Sequence, residues 1–254
     1  MTRAVIGLLG VYLILALATS SPLGALALEA IGLLALWAVY VARFTLDDPR
    51  ALGPEVVWFG AKDRLSRPRA EVIVFTGSST IAHWSSLQAD MAPLRVLNRG
   101  INGARIHQIT HYIDRIIVPY RPRAVVLYAG ENDISGFLWS AKKTPDEVLS
   151  AFRGFCEKIH ARLPDAPIHF IAIKPPKRRA KSGPSFQAVN KLVKEHCASD
   201  KRLHFIDVVP ALLDADGQPR GLGWDGIHLN DEGYRILASV VKTCLAAAYL
   251  EAAP

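Results

Sequence analysis

Four short stretches hold the residue types that acyl-transfer chemistry needs: Gly77-Ser78-Ser79-Thr80, Asn98-Arg99-Gly100-Ile101-Asn102-Gly103, Gly130-Glu131-Asn132-Asp133 and Asp225-Gly226-Ile227-His228. A serine hydroxyl is a weak nucleophile and attacks a carbonyl only when a neighbouring base takes its proton. An Asp three residues before a His can hold the imidazole in one tautomer while the other ring nitrogen faces a serine. A glycine N–H and an Asn side-chain amide are the donor types that stabilise a developing oxyanion. Each stretch also has a plain structural reading. Gly-Ser-Ser caps helices, the glycine-rich second stretch is a turn, Asn and Asp bond their own backbone, and a lone His is usually a packing residue. A phosphate cradle fits the first stretch poorly, because Gly-x-x-x-x-Gly-Lys is absent.

The elements that must position these groups are legible as alternating runs. Strands are predicted at 71–76, 95–98, 123–129, 167–173 and 203–208, most of them apolar throughout. Helices are predicted at about 104–117, 145–163, 185–199 and 231–249. Thr144-Pro145-Asp146-Glu147 opens one with an N-cap, a proline at the first position and a capping-box acid, and Asn230-Asp231-Glu232 opens the last in a similar way. Alternation of this kind implies an α/β fold with a parallel sheet, and continuous apolar strands imply helices on both of its faces. In such sheets the ligand crevice lies beyond the carboxyl ends of the strands. The first three stretches follow strands directly, and the fourth lies between the last strand and the last helix.

Over about residues 68–248 these motifs, in this order and spacing, resemble the SGNH or GDSL hydrolases. The family's Gly-Asp-Ser is matched by Gly77-Ser78-Ser79, its second-loop glycine by Gly103, its Gly-x-Asn-Asp by residues 130–133 and its Asp-x-x-His by Asp225 and His228. The resemblance implies Ser79 as nucleophile, His228 as general base and Asp225 as its partner. It implies an oxyanion hole of the Ser79 and Gly103 N–H groups with the Asn132 side chain. It also implies a three-layer α/β/α sandwich with a five-stranded parallel sheet in order 2-1-3-4-5, and chemistry that needs no metal or cofactor. One departure stands out: Ser78 occupies the place of the family's Asp, which removes a charge and a hydrogen-bond acceptor beside the nucleophile.

The amino-terminal part is different in kind. Between Ala4 and Phe44 the charged residues are Glu29 and Arg43, and Thr19 to Gly24 divides the stretch into two apolar segments at about 5–18 and 25–43. The second approaches the roughly 20 apolar residues that cross a bilayer, and the first is short. Three readings are open: a transmembrane hairpin, a signal peptide followed by one span, and a buried soluble hairpin. The division expected is a membrane anchor at 1–46, a linker at 47–67 and a catalytic domain at 68–250. Arg3 precedes the first segment and Arg43, Arg50, Lys62 and Arg64 follow the second, which predicts both ends in the cytoplasm of a bacterial cell membrane.

The formal charge of +7 raises nucleic acid as a partner, but neither zinc-ligand spacing nor a basic run interleaved with aromatics is present, so none is expected. Five positive charges sit between Lys174 and Lys181, read as a solvated loop or as an attractor of anionic substrate or headgroups. Cys156, Cys197 and Cys244 are far apart and read as small packing residues. Trp84, Phe137, Trp139 and Trp224 are candidates to line an acyl pocket or are ordinary packing. The expectation is a membrane-anchored serine esterase acting on a small-molecule or lipid ester. An acyltransferase to a sugar or lipid hydroxyl and a noncatalytic binding module stand as alternatives, and the oligomeric state is left open.

Overall fold

The computed structural model describes residues 22–45, 47–66, 68, 71–136, 140–175, 177 and 180–250. The first apolar segment, 5–18, and the hairpin it would complete lie outside the described residues.

Five strands, β1 (Ile73–Gly77), β2 (Val96–Gly100), β3 (Ala124–Tyr128), β4 (Ile168–Ile171) and β5 (Leu203–Ile206), form one parallel sheet in the order 2-1-3-4-5. Every residue of β1, β3 and β4 is buried, as a sheet covered on both faces requires. Alternate residues point to opposite faces, so Val74, Val125 and Leu127 join one core while Ile73, Phe75 and Val126 join the other.

The helices are α1 (Pro22–Thr45), α2 (Gly53–Leu65), α3 (Ser79–Ala82), α4 (Leu87–Asp90), α5 (Ile106–Ile116), α6 (Glu131–Ser135), α7 (Pro145–His160), α8 (Gly183–Cys197) and α9 (Asp231–Tyr249). Helices α5, α7 and α8 cover the first face through residues such as Ile109, Phe152 and Val189. The other face is covered by α9, through Leu237, Val241 and Leu245, with Ile81 of α3 and Leu87 of α4. The capping signals act as their residue types predict. Glu147 N–H donates to Thr144 Oγ1 and Thr144 N–H to Glu147 Oε2, at 3.3 and 2.7 Å, and Asn230 Oδ1 accepts from Gly233 N–H at 3.0 Å.

Residues Gly24–Ala42 of α1 are long and apolar enough to cross a membrane by length and composition, and Leu26, Ile31, Leu33, Leu34 and Trp37 are exposed. The segment expected as a linker, 47–67, holds α2. Its inner face buries Val56, and Asp63 pairs with Arg99, whose guanidinium lies 4.9 Å from the Phe59 ring. Two residues after α1, Asp47 takes 2.9 and 3.1 Å contacts from Arg105 and His107, with Lys143 at 3.6 Å. Arg99 and Arg105 are buried and paired. Cys156 and Cys197 are buried packing residues, whereas Cys244 is exposed.

Candidate active site

Register places the catalytic candidates at one level. Gly77 is paired with Gly100 on one side and Tyr128 on the other, so the loops after β1, β2 and β3 leave the sheet together. Gly77 has φ 142°, and a Cβ there would lie 2.0 Å from the Tyr128 carbonyl oxygen. Only glycine fits that approach, which lets Ser78 N–H donate to the same oxygen at 2.9 Å and turns the chain into α3. Ser78 is buried, and its carbonyl accepts from Ile81 and Ala82 N–H at 3.0 Å each, so it caps α3. Ser79 is the first helical residue, whose N–H has no intrahelical partner.

The second loop is tied to the first by Asn98. Its Nδ2 donates to the Ile81 carbonyl at 2.7 Å, and its Oδ1 accepts from Gly100 N–H at 2.9 Å. Gly103 then turns with φ 74°. The third loop meets the second where Asn132 Nδ2 donates to the Ala104 carbonyl at 3.2 Å, next to Gly103. Asp133, fully buried, accepts from Ile106 N–H at 3.4 Å, and burial pushes its carboxyl pKa up.

The fourth loop folds on itself. Asp225 Oδ1 accepts from the N–H groups of Ile227 and His228 at 2.9 and 3.0 Å, and Oδ2 lies 2.5 Å from His228 Nδ1. Partial burial works against the charged carboxylate, but the Ile227 N–H, the imidazole and the His228 N–H outweigh it and hold Asp225 down to about 2. An ionised carboxylate only accepts, so the proton between the two sits on Nδ1. In the neutral imidazole Nε2 then carries the lone pair, and it lies 3.1 Å from Ser79 Oγ. The structure thus brings Ser79, His228 and Asp225 into one hydrogen-bonded line, with Asn132 and the neighbour of Gly103 in contact across the adjoining loops.

Two features at the crevice carried little sequence signal. The ring of His83 lies 5.0 Å from that of His228 at 53°. Burial lowers its pKa, the nearby His228 lowers it further, and Asp225 opposes both. Beneath the third loop, Lys174 Nζ donates to Glu131 Oε2 at 2.6 Å and to Tyr128 Oη at 3.2 Å, and Tyr128 Oη donates to the same Glu131 oxygen at 3.0 Å. Burial resists the charge on Lys174, but Glu131 and Tyr128 overcome it and raise its pKa, while burial pushes Tyr128 up to about 12. Lys174 is therefore not part of an exposed basic loop, as first read: it is 3 % exposed and paired. The one available signal was a lone lysine ending an apolar strand, together with an acid at the variable position of Gly-x-Asn-Asp.

Trp84 is buried, packs edge-on against Phe75 and donates Nε1–H to Asp90 at 2.7 Å, which makes it a packing residue first. Trp224 is almost fully exposed. Phe137 and Trp139 lie outside the described residues, as do Arg178 and Arg179 of the basic loop. Among the described residues, no group of three His, Cys, Asp or Glu side chains is placed to hold a metal ion.

The family model described as "GDSL-like Lipase/Acylhydrolase family" matches residues 57–236. A curated relative, the platelet-activating factor acetylhydrolase IB subunit alpha1 of Pongo abelii, is 26 % identical over 201 residues, covering 74 % of this chain and 83 % of its own. A GDSL-like lipase from Bacteroides thetaiotaomicron has a similar structure, with TM-score 0.62 and 18 % identity over 76 % of this chain and 98 % of its own. So does a variant of an acetyl-xylooligosaccharide esterase from Geobacillus Stearmophilus, with TM-score 0.56 and 17 % identity over 68 % of this chain and 93 % of its own. At those identities the two structures share the fold.

Proposed function

The chain belongs to the GDSL-like lipase/acylhydrolase family, a family of ester-hydrolysing enzymes, and from that premise we propose that it is a membrane-anchored serine hydrolase of carboxylic esters working through Ser79, His228 and Asp225. The observation that carries the reading is the 3.1 Å approach of His228 Nε2 to Ser79 Oγ, with Asp225 behind the ring. In the proposed first step Ser79 Oγ attacks the ester carbonyl carbon while His228 Nε2 takes the hydroxyl proton. Asp225 stabilises the imidazolium that forms. The carbonyl oxygen, now negative, accepts from Ser79 N–H, Gly103 N–H and Asn132 Nδ2. Collapse breaks the bond to the alcohol oxygen, which leaves with the proton from His228. Water, deprotonated by the same nitrogen, then attacks the acyl-enzyme, and the acid departs as Ser79 recovers its proton. No step calls for a metal or a cofactor.

The substrate proposed is a small-molecule or lipid ester. Two similar proteins carry names that denote acetyl esters, so a short acyl group is the first to try. Helix α1 serves in this reading as a membrane span, with the segment at 5–18 completing a hairpin, the 68–250 domain as the catalytic unit and the cytoplasmic side as its location. The length and apolarity of Gly24–Ala42 support the span, and the basic residues that flank the apolar region support the side.

The test is release of p-nitrophenol from p-nitrophenyl acetate by the full chain in detergent, with Ser79→Ala and Ser78→Ala beside it. Loss confined to Ser79→Ala is expected. Loss confined to Ser78→Ala would contradict the assignment, and strong acceleration by an added acceptor alcohol would mark an acyltransferase instead.

A further inference from the structure

Helix α2 is apolar on two opposite sides. Val56 is 2 % exposed on the inner side, and Phe59 and Asp63 meet Arg99 there. At helical spacing Val57, Ala61 and Leu65 form a second stripe on the outer side, with Trp58 beside it. That stripe is open: Val57 is 55 %, Trp58 58 % and Leu65 89 % exposed. Basic side chains border it, Arg64 on one flank and Lys62 on the other, the latter with Nζ 5.3 Å from the Trp58 ring. An apolar stripe with a tryptophan and flanking cations is what lies in a headgroup layer, the stripe in the acyl boundary and the cations at the phosphates.

Where α2 sits identifies its partner. The apolar helix α1 ends at Thr45, and α2 begins at Gly53, so the connection is short. It is also clamped: Asp47 is held by Arg105 and His107, just after the loop of Gly103. We propose that the outer stripe of α2 rests in the headgroup layer of the bilayer that α1 enters, and that it holds the β2 edge of the crevice against the lipid. Phe59 and Lys62 line a cavity of about 330 Å³ with Ala82, Trp84, Asn98 and Gly100, so the same helix borders the turn that carries Ser79. The inference rests on the reading of α1 as a membrane span.

The experiment uses the full chain in vesicles of phosphatidylethanolamine and phosphatidylglycerol. A nitroxide is placed at Leu65→Cys or Trp58→Cys, each with Cys244→Ser, because Cys244 is the exposed native cysteine and Cys156 and Cys197 are buried. Lys191→Cys, on the exposed face of α8 at the β4–β5 end of the sheet, is the aqueous control. Turnover of p-nitrophenyl acetate checks that each labelled protein is folded. The expected result is a chain that floats with the vesicles, with labels at 58 and 65 open to oxygen and shielded from a water-soluble nickel complex, while the label at 191 is open to nickel. Floating protein whose label at 65 is as open to nickel as that at 191 overturns the inference and leaves the anchor standing. A label at 65 shielded from both oxygen and nickel also overturns it, and assigns the stripe to a protein segment such as 5–18. Protein that does not float removes the anchor reading and this inference with it.

Discussion

Lys174 Nζ and Glu131 Oε2 meet at 2.6 Å with both side chains buried, joining the carboxyl end of β4 to the loop that carries Asn132. Removing one partner strands the other charge in the interior. Such a change costs about 3–5 kcal/mol, whereas removing both is often close to neutral. Lys174→Met and Glu131→Gln should each lower the denaturant midpoint clearly, and the double variant should recover part of the loss. Equal losses for the double variant and the sum of the singles would mean that the two groups do not interact.

Asn132 is held by the Ala104 carbonyl and stands beside the Gly103 turn. If it donates to the oxyanion, as proposed, it should act on the transition state more than on substrate binding. Asn132→Ala is expected to lower kcat by about 10²–10³-fold, with a much smaller change in KM. Steady-state kinetics on p-nitrophenyl acetate give the comparison, and a change confined to KM would place Asn132 in ground-state binding.

Asp225 fixes the tautomer of His228. Replacement by Asn leaves a side chain of the same shape but favours the wrong tautomer, and in Ser-His-Asp enzymes this costs about 10⁴-fold in kcat. The same substitution tests the carboxylate's share of stability. Its pKa is depressed from 3.8 to about 2 by folding, so its stabilising share is full above the unfolded value and is lost as pH falls through the folded one. The stability gap between wild type and Asp225→Asn should therefore be constant at neutral pH and close between about pH 4 and pH 2. A gap that stays constant down to pH 2 would deny the carboxylate this role.

Gly77 admits no side chain: with φ 142°, an added Cβ falls 2.0 Å from the Tyr128 carbonyl oxygen. Backbone strain alone costs roughly 1–3 kcal/mol, and the clash adds to it by pushing β1 from β3. Gly77→Ala should lower the thermal midpoint and, by moving Ser79, lower kcat as well. Gly154→Ala is the control, because nothing lies within 4 Å of a Cβ built there and the site is helical.

The strands were legible because each is a short apolar run bounded by turn residues, and both faces of the sheet are covered; their order followed from the family resemblance and not from the runs themselves. The four loops of the candidate site were legible because Gly, Ser, Asn, Asp and His are rare in such runs and therefore stand out where they follow a strand. Helix α2 was not, for a physical reason. Its inner Val56 and Phe59 and its outer Val57, Trp58 and Leu65 put apolar residues on both sides, which erases the one-sided period that marks a surface helix. Lys174 was misread because sequence cannot show that Glu131 and Tyr128 wait for it across the sheet. The pairing of Asp47 with Arg105 spans 58 positions and is equally invisible to local patterning.

Whether Ser79 or its neighbour Ser78 is the activated nucleophile is read directly by a fluorophosphonate probe, which reacts with such serines to leave a stable adduct. The full chain would be labelled, digested and mapped by mass spectrometry, with His228→Ala in parallel. One adduct is expected, on Ser79, and it is lost in His228→Ala. An adduct on Ser78, or no adduct on a protein that hydrolyses p-nitrophenyl acetate, would rule out Ser79 as the nucleophile.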